Sequence, residues 1–386
     1  MAFTAGIAVA NVYYSQPILE AIAHSLNIPI EQAGSISVLS QVGYGLGLFF
    51  LTPIGDMIDR KKLILYLQLL LIASLLLFAF STNILLLFLA SVLIGTFAVV
   101  AQVVLPMAAS LVEENRGKVV AQIFTGLLIG ILTARVFSGF ITHLWGWKYV
   151  YIIGAVFVGI TTVLMQTDFP SAKVQFNGTY KSLLKSTIAQ LGRFPQLRAA
   201  SITGMLTFGT LSAFWITLTL HLSGEPFHYN PSTIGLFGLL AVVGAVIAPV
   251  FGKIADNGGQ SKSLIFSTGI VVLSVIVLLI FPESVIAISA VVILLDMGVQ
   301  GAQVTNISII YNLDASSNSR INTVYMTAYF IGGSTSAFLS IEAYKMGGWV
   351  YSVIFMAILS ILAVGNVLIS RKKTDSETIQ KLEMSK

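Results

Sequence analysis

The chain has 386 residues, of which 56% are apolar and only 10% are charged, whereas an ordinary soluble domain has about 25% charged residues. This composition excludes a soluble protein and indicates a chain that crosses a membrane many times. The absence of cysteine and the four scattered histidines exclude a disulfide framework, a thiol nucleophile and a Cys or His metal site. The net charge of +5 does not indicate nucleic-acid binding, because Lys and Arg accumulate in the cytoplasmic loops of membrane proteins.

Twelve apolar runs are long enough to form membrane-spanning helices, each of which needs about 20 mostly apolar residues. We predict an all-α integral membrane protein with two pseudo-symmetric six-helix bundles at residues 1–167 and 197–370. A cytoplasmic linker at 168–196 joins them, and a tail at 371–386 follows. The predicted spans are 3–23, 33–54, 62–81, 84–111, 119–142, 147–167, 197–221, 232–252, 263–281, 284–312, 321–342 and 348–370.

The distribution of basic residues predicts the orientation of the chain. The loops on the side of the two termini, with the linker and the tail, hold 18 of the 21 Lys and Arg residues. The opposite loops hold Lys148 and Lys345, and Arg135 lies within a span. This asymmetry predicts that both termini are cytoplasmic. Within the linker, residues 180–191 are predicted to form a short amphipathic helix.

An internal repeat relates the two bundles. The segment LTPIGDMIDRKKL at residues 51–63 concentrates charge between two apolar runs, and FGKIADNGGQSKSL at 251–264 is its counterpart, with Asp256 corresponding to Asp56. The segment AQVVLP at 101–106 is followed 201 residues later by AQVTNI. Parallel six-helix repeats of this kind are typical of transporters whose substrate site lies between the halves.

Two charged residues lie inside predicted spans, although a charge at the bilayer centre costs about 3 kcal/mol on insertion scales. Asp296 lies near the middle of span ten, and Gln300 and Gln303 follow it on the same helix face. A carboxyl group removed from water binds a proton more readily, so Asp296 is the candidate proton-coupling residue, with a packing role as the alternative. Arg135 in span five keeps its charge. It either pairs with Asp296, binds an anionic part of the substrate or extends to the outer surface.

The charged segment after span two resembles the signature of the major facilitator superfamily, G-x-x-x-D-R-x-G-R-K. Here it runs from Thr52 to Lys61 and keeps the aspartate as Asp56 and the distal arginine as Arg60, without the two glycines. The resemblance covers the whole chain and is to the twelve-span branch of drug and metabolite antiporters, which are efflux permeases coupled to protons. Two motif positions differ, because Ser91 replaces the arginine of span four and Ile131 replaces the proline of span five.

The resemblance implies positions for the gate and the substrate site. Asp56 and Arg60 are four residues apart and are predicted to form a latch that faces the start of span eleven, together with Asp59 and Asp256. A solvated loop that only follows the charge bias is the alternative. In the superfamily, spans one, two, four and five and their counterparts surround the substrate. The predicted substrate-binding residues on these spans are Asn11, Tyr14, Gln16, Gln41, Gln102, Arg135, Gln300, Gln303, Tyr325 and Tyr329.

These features predict a proton-coupled secondary active exporter of a small organic compound, such as a drug, a sugar or a siderophore-like metabolite, that works by alternating access. An importer or facilitator in the same fold is the alternative, and a non-transport sensor or scaffold is a more distant one. Coupling to Na⁺ instead of H⁺ stays open. The chain lacks the G-x-x-x-x-G-K-[ST] nucleotide signature, and neither an enzyme site nor a cofactor nor a metal is predicted. We expect a monomer in the bacterial inner membrane, with the substrate, protons and lipid as partners and no nucleic acid.

Overall fold

The computed structural model describes residues 1–111, 116–171, 178–314 and 317–384, which form fourteen α-helices and no β-strand. Apolar segments form helices in a membrane because a helix satisfies its backbone hydrogen bonds within one segment. The helices are α1 (Ala2–Tyr13), α2 (Leu19–Leu26), α3 (Ile30–Phe50), α4 (Arg60–Phe80), α5 (Ile84–Phe97), α6 (Val100–Ser110), α7 (Arg116–Trp145), α8 (Trp147–Asp168), α9 (Tyr180–Arg193), α10 (Pro195–Ser223), α11 (Pro231–Ile254), α12 (Gln260–Ile280), α13 (Val285–Tyr311) and α14 (Asn318–Met384).

The described helices lie at the positions of the twelve predicted spans. Among the described residues, nine helical segments are long and apolar enough to cross a membrane, and one of these, Ile84–Ala108, comprises α5 and most of α6. Helix α14 contains two spans, because the chain bends at Gly347 and Gly348, and Gly348 has a positive φ of 64° that favours glycine. The first span is divided between α1 and α2, and α11 contains the shorter apolar helix Pro231–Gly244. The predicted all-α membrane fold is confirmed.

Two of the predicted spans are interrupted. The first changes after α1 to the short 3-10 helix Gln16–Ile18, where Pro17 has no N–H group to continue the α-helical hydrogen bonds. The fourth, predicted as one helix over residues 84–111, divides between α5 and α6. There the N–H group of Ala98 is shared between the carbonyl oxygens of Ile94 and Gly95, and that of Gln102 donates to the Val99 carbonyl oxygen three residues earlier. The backbone therefore changes locally toward the tighter 3-10 pattern.

Helix α9 connects the two halves at one end of the bundle. The Tyr180 hydroxyl donates to the Phe50 carbonyl oxygen at the end of α3 over 2.7 Å, and Arg193 forms a 2.7 Å salt bridge with Asp314, shortly before α14. The helix predicted over residues 180–191 is therefore present, and it contacts both halves. We call this end of the molecule the linker side and the opposite end the distal side.

The halves α1–α8 and α10–α14 pack closely on the distal side. A Cβ atom at Gly139 of α7 would lie 2.4 Å from the carbonyl oxygen of Pro231 in α11, and one at Gly235 would lie 2.6 Å from that of Arg135. Glycine is needed at both positions because the two helix backbones nearly touch. A buried apolar cluster, which we call the distal cluster, also joins the halves. It comprises Val38, Ile216, Leu220, Ala337 and Ile341.

Candidate functional site

A narrow cavity lies between the two halves and is enclosed mainly by α1, α7, α10, α13 and α14. We call it the central cavity. Its volume of about 60 Å³ holds only a few water molecules, because one water needs about 10–15 Å³ of such space. An organic substrate therefore requires the halves to move apart. The predicted site residues that line the central cavity are Gln16, Gln102, Arg135, Asp296, Gln300, Gln303 and Tyr329.

Arg135 points into the central cavity. Its Nε donates to Gln16 Oε1 over 2.9 Å, and its guanidinium carbon lies 3.8 Å from the ring centre of Trp215. The residue is 3% exposed, and its Nη1 has no hydrogen-bond partner among the described residues. The structure therefore does not support the expected alternative in which Arg135 extends to the outer surface. The side chain is held by an amide and an aromatic ring, with one donor left available.

Asp296 lies on the opposite half of the same cavity, on α13. It is 2% exposed, and within the described part of the chain its Oδ2 accepts no hydrogen bond. The described side chains place no salt bridge between Asp296 and Arg135, so the two opposite charges share the central cavity without direct contact. A buried carboxyl oxygen without a partner is costly unless it binds a proton or a ligand.

Aromatic and amide groups complete the wall of the central cavity. Tyr329 stacks on Phe208 with ring centres 4.0 Å apart, and Gln102 Nε2 lies 3.5 Å from the Tyr44 hydroxyl. Trp215 and Phe208 of α10 are lining residues that sequence reasoning did not identify. Helix α10 forms the seventh span, which is one of those expected to surround the site. However, an aromatic residue in an apolar span gives no sequence signal that separates a cavity-facing from a lipid-facing position.

Four predicted substrate residues lie away from the central cavity. Asn11 donates from Nδ2 to the Ile7 carbonyl oxygen of its own helix over 2.7 Å, and Tyr14 packs edge-on against Tyr151. Tyr325 is buried against the backbone of α10 inside the second half. Gln41 Oε1 accepts a hydrogen bond from the Ser212 hydroxyl over 3.0 Å, and this bond links α3 to α10. The structure thus places these four side chains in contacts between helices, away from the wall of the central cavity.

The charged segment after α3 makes the contacts expected of a latch. Arg60 Nη2 donates to Asp56 Oδ1 over 2.9 Å, and its Nη1 donates to the Pro106 carbonyl oxygen over 3.2 Å. The other carboxylate oxygen of Asp56 accepts from the Ser319 hydroxyl over 3.4 Å. Since Ser319 begins α14, Asp56 links the two halves on the linker side. Asp59 instead caps α4, where it accepts from the backbone N–H of Lys61.

The second copy of this segment lies where α11 meets α12. Residues Ala255–Gly259 form a turn between α11 and α12 in which Gly258 has a positive φ of 81°. The side chain of Asp256, predicted as a gating residue, lies outside the described part of the structure.

A larger cavity opens on the linker side. In the first half it is lined by the charged segment after α3 and by α6, and in the second half by α13 and α14. We call it the vestibule. Its volume is about 490 Å³, and its wall includes Asp56 and Ser319. Gln102 and Met326 line both the vestibule and the central cavity, so the two spaces are adjacent. Because the distal cluster closes the other end, the conformation is open toward the linker side.

The sequence and the fold both match known membrane transporters. Over 350 residues the chain is 36% identical to the uncharacterized transporter YgaY of Escherichia coli O157:H7, covering 90% of this chain and 89% of that protein. It is 28% identical over 351 residues to SCO4007 of Streptomyces coelicolor, named a probable transporter, covering 90% and 81% of the two chains.

Two solved structures share the fold at low sequence identity. The nucleoside transporter NupG superposes with a TM-score of 0.76 at 11% identity, covering 95% of this chain and 98% of that one. The human organic anion transporter MFSD10 superposes with a TM-score of 0.70 at 12% identity, covering 95% of this chain and 98% of that one. Residues 1–340 match the Major Facilitator Superfamily. With a family match over most of its length and a relative at 36% identity, this chain belongs to the major facilitator superfamily and is a multi-pass membrane transporter.

Proposed function

We propose that this transporter exports a small organic compound in exchange for protons and that Asp296 carries the proton. The observation that supports this most strongly is the placement of Asp296. Its carboxylate is buried in the cavity between the halves, and one oxygen has no hydrogen-bond partner among the described residues. Ionisable residues inside membrane bundles usually mark proton or substrate pathways.

The exchange requires that the substrate and the proton compete for Asp296, so that binding of one disfavours binding of the other. A substrate that donates hydrogen bonds to the carboxylate stabilises its charged form, so binding releases the proton. The glutamines Gln300 and Gln303 and the free Nη1 of Arg135 provide hydrogen bonds to the rest of a hydroxyl- or amide-bearing molecule. The proposed cycle therefore suits a neutral or cationic substrate.

An anionic substrate would reverse the sign of the coupling. An anion bound at Arg135 raises the negative charge near Asp296 and favours the protonated carboxyl, so anion and proton would move together. The free Nη1 of Arg135 keeps this second candidate open as a proton-coupled importer of a small anion. The sign of proton movement with substrate separates the two candidates.

The direction of export rests on the charge distribution. The sequence assigns 18 of the 21 Lys and Arg residues to the loops on the side of the two termini, to the linker or to the tail, and we infer that this side is cytoplasmic in a bacterial inner membrane. The vestibule then opens to the cytoplasm and gives a cytoplasmic compound access to the central cavity. We further propose that the protein acts as a monomer, because one chain contains both halves of the cavity.

The test is proton movement in inside-out vesicles with an acid interior. A panel of drugs, sugars, amino acids and hydroxycarboxylates is added to vesicles containing wild type or Asp296→Asn, with the exposed Asp168→Asn as matched control. We expect at least one compound to dissipate the pH gradient with wild type and the control but not with Asp296→Asn. Equal dissipation by Asp296→Asn, or labelled flux without proton movement in wild type, would contradict the proposal. The second outcome would indicate a facilitator.

A further inference from the structure

A third cavity lies between α3 and α14 toward the linker side, where α9 contributes to its wall. We call it the lateral groove. Its volume is about 420 Å³, and its walls include Leu46, Phe50 and Ile331, with Ile188 of the linker helix. Phe50, Ile188 and Ile331 are 44%, 53% and 50% exposed, although all three are apolar. In the membrane this mouth faces lipid chains, in the leaflet on the linker side.

The deep end of the lateral groove contains a polar group without a partner. Gln41 is 1% exposed, and its Nε2 donates no hydrogen bond among the described residues. The amide is fixed by its other end, because Oε1 accepts from Ser212, which lines the central cavity. A buried donor left unpaired costs about 1–3 kcal/mol. A ligand group that accepts a hydrogen bond from Gln41 would remove this cost and so bind more tightly.

One aromatic residue borders both the lateral groove and the central cavity. Phe330 lines both spaces, and its ring lies 4.4 Å from Tyr44 and 5.1 Å from Phe208, measured between centres. Gly45 lies opposite Phe330, where an added Cβ atom would be in ordinary contact at 3.6 Å from Phe330 Cβ, so a larger side chain at Gly45 would extend into the groove. Rotation of the Phe330 ring would join the two spaces.

We propose that the lateral groove is a side access path from the bilayer, and that the transporter accepts amphipathic compounds with one apolar chain. The apolar chain occupies the groove, and an uncharged head group rich in hydroxyls or amides passes Gln41 and Phe330 to the central cavity. A volume near the lower end of the ~300–1,000 Å³ range of small-molecule sites suits one chain. This inference rests on the proposed export function and adds the substrate class.

Photolabelling in proteoliposomes tests this path without a proton gradient. The probe is a monoacylglycerol with a diazirine in its acyl chain, and labelled peptides are located by mass spectrometry. We expect saturable labelling of residues 41–50 and 324–334 that excess unlabelled monoacylglycerol displaces. Gly45→Trp fills the groove and is expected to lower labelling about tenfold, which corresponds to about 1.4 kcal/mol of binding. Gly159→Trp is the matched control, because a Cβ there meets no atom within 4 Å.

Two further variants separate the possible outcomes. Phe330→Leu is expected to extend labelling to residues 208–215 of α10, and unchanged labelling there would exclude Phe330 as the gate. Asp296→Asn is expected to keep the groove labelled, so a failure of proton coupling does not affect this test. Labelling that follows lipid exposure and ignores Gly45→Trp would overturn the proposal. Equal saturation by a diazirine phosphatidylethanolamine would also overturn it, since the groove would then hold a structural lipid.

Discussion

Arg135 makes contacts that depend on the shape of its guanidinium group. One nitrogen donates to Gln16, the flat face lies 3.8 Å from Trp215, and Nη1 stays available to a ligand. Lysine has a point charge on a flexible stem and cannot make this set together. We expect Arg135→Lys to lower transport at subsaturating substrate about tenfold. This corresponds to about 1.4 kcal/mol and is within the range of about 2 kcal/mol for a desolvated cation–π contact.

The measurement is labelled-substrate uptake into inside-out vesicles across a range of substrate concentrations. Arg198→Lys, at an exposed position near the start of α10, is the matched control. Since the charge is kept in Arg135→Lys, an unchanged apparent affinity would show that Arg135 acts only as a positive charge.

On the linker side, Asp56 connects helices of the two halves. Its carboxylate bridges Arg60 of α4 and Ser319 of α14, so it connects the two halves on the linker side. We expect Asp56→Asn to reduce the transport rate while the free energy of unfolding changes by less than about 1 kcal/mol, because partly exposed ion pairs contribute little to stability.

Asp59→Asn is the control for this prediction, because asparagine caps helices about as well as aspartate and the described hydrogen bond of the Asp59 side chain is to the backbone N–H of Lys61 at the start of α4. Transport is measured by flux and stability by thermal unfolding in detergent. Wild-type flux in Asp56→Asn would remove Asp56 from the gate.

The α7–α11 crossing controls closure on the distal side. An alanine Cβ at Gly235 would lie 2.6 Å from the Arg135 carbonyl oxygen, so Gly235→Ala forces the two helices apart. Overpacking of this kind costs about 1–3 kcal/mol and shifts the population toward the distal-open conformation.

The chain has no cysteine, so a single Ala337→Cys in the distal cluster reports this change. Its reaction with an impermeant maleimide should accelerate in Gly235→Ala and not in Gly269→Ala, whose added Cβ meets no atom within 4 Å.

At the scale of the whole molecule, alternating access requires the distal cluster to open. Val38 belongs to the first half, whereas Ile216 and Ile341 belong to the second. We expect a cleavable thiol cross-linker between Val38→Cys and Ile341→Cys to abolish transport and cleavage to restore it. The same cross-linker between Ile216→Cys and Ile341→Cys lies within one half and should leave transport intact. Full transport by the cross-linked Val38 and Ile341 pair would exclude relative movement of the halves at this position.

The sequence was sufficient to place the two buried charges. Asp296 and Arg135 stand out because a charge inside an apolar run is costly at any helix rotation, so its presence alone indicates a polar environment. The stripe of Gln300 and Gln303 follows from helix periodicity, and the structure brings both residues to the central cavity. The Asp56 and Arg60 contact is likewise local, because residues four apart on a helix are neighbours.

Uncharged polar and aromatic residues were not assigned reliably from the sequence. Asn11 and Gln102 are both single amide residues within apolar spans, so the sequence gives them the same signal. Asn11 nevertheless donates a hydrogen bond to its own helix, whereas Gln102 lines the central cavity. Trp215 carries no local mark that distinguishes a cavity residue from a lipid-facing one. In these spans both faces are apolar, so hydrophobic periodicity does not define which face turns inward.

The sequence alone was enough to predict the all-α membrane fold and to identify the residues that carry charge within the membrane, because both depend on composition or spacing along one helix. The tertiary structure alone decided which side chains face the central cavity, that Arg135 lies on Trp215 without touching Asp296, and that Phe330 lines both the central cavity and the lateral groove. These features depend on how each helix is rotated and how closely it approaches its neighbours. Packing between distant segments sets both quantities, and small residues such as Gly235 permit the closest approaches.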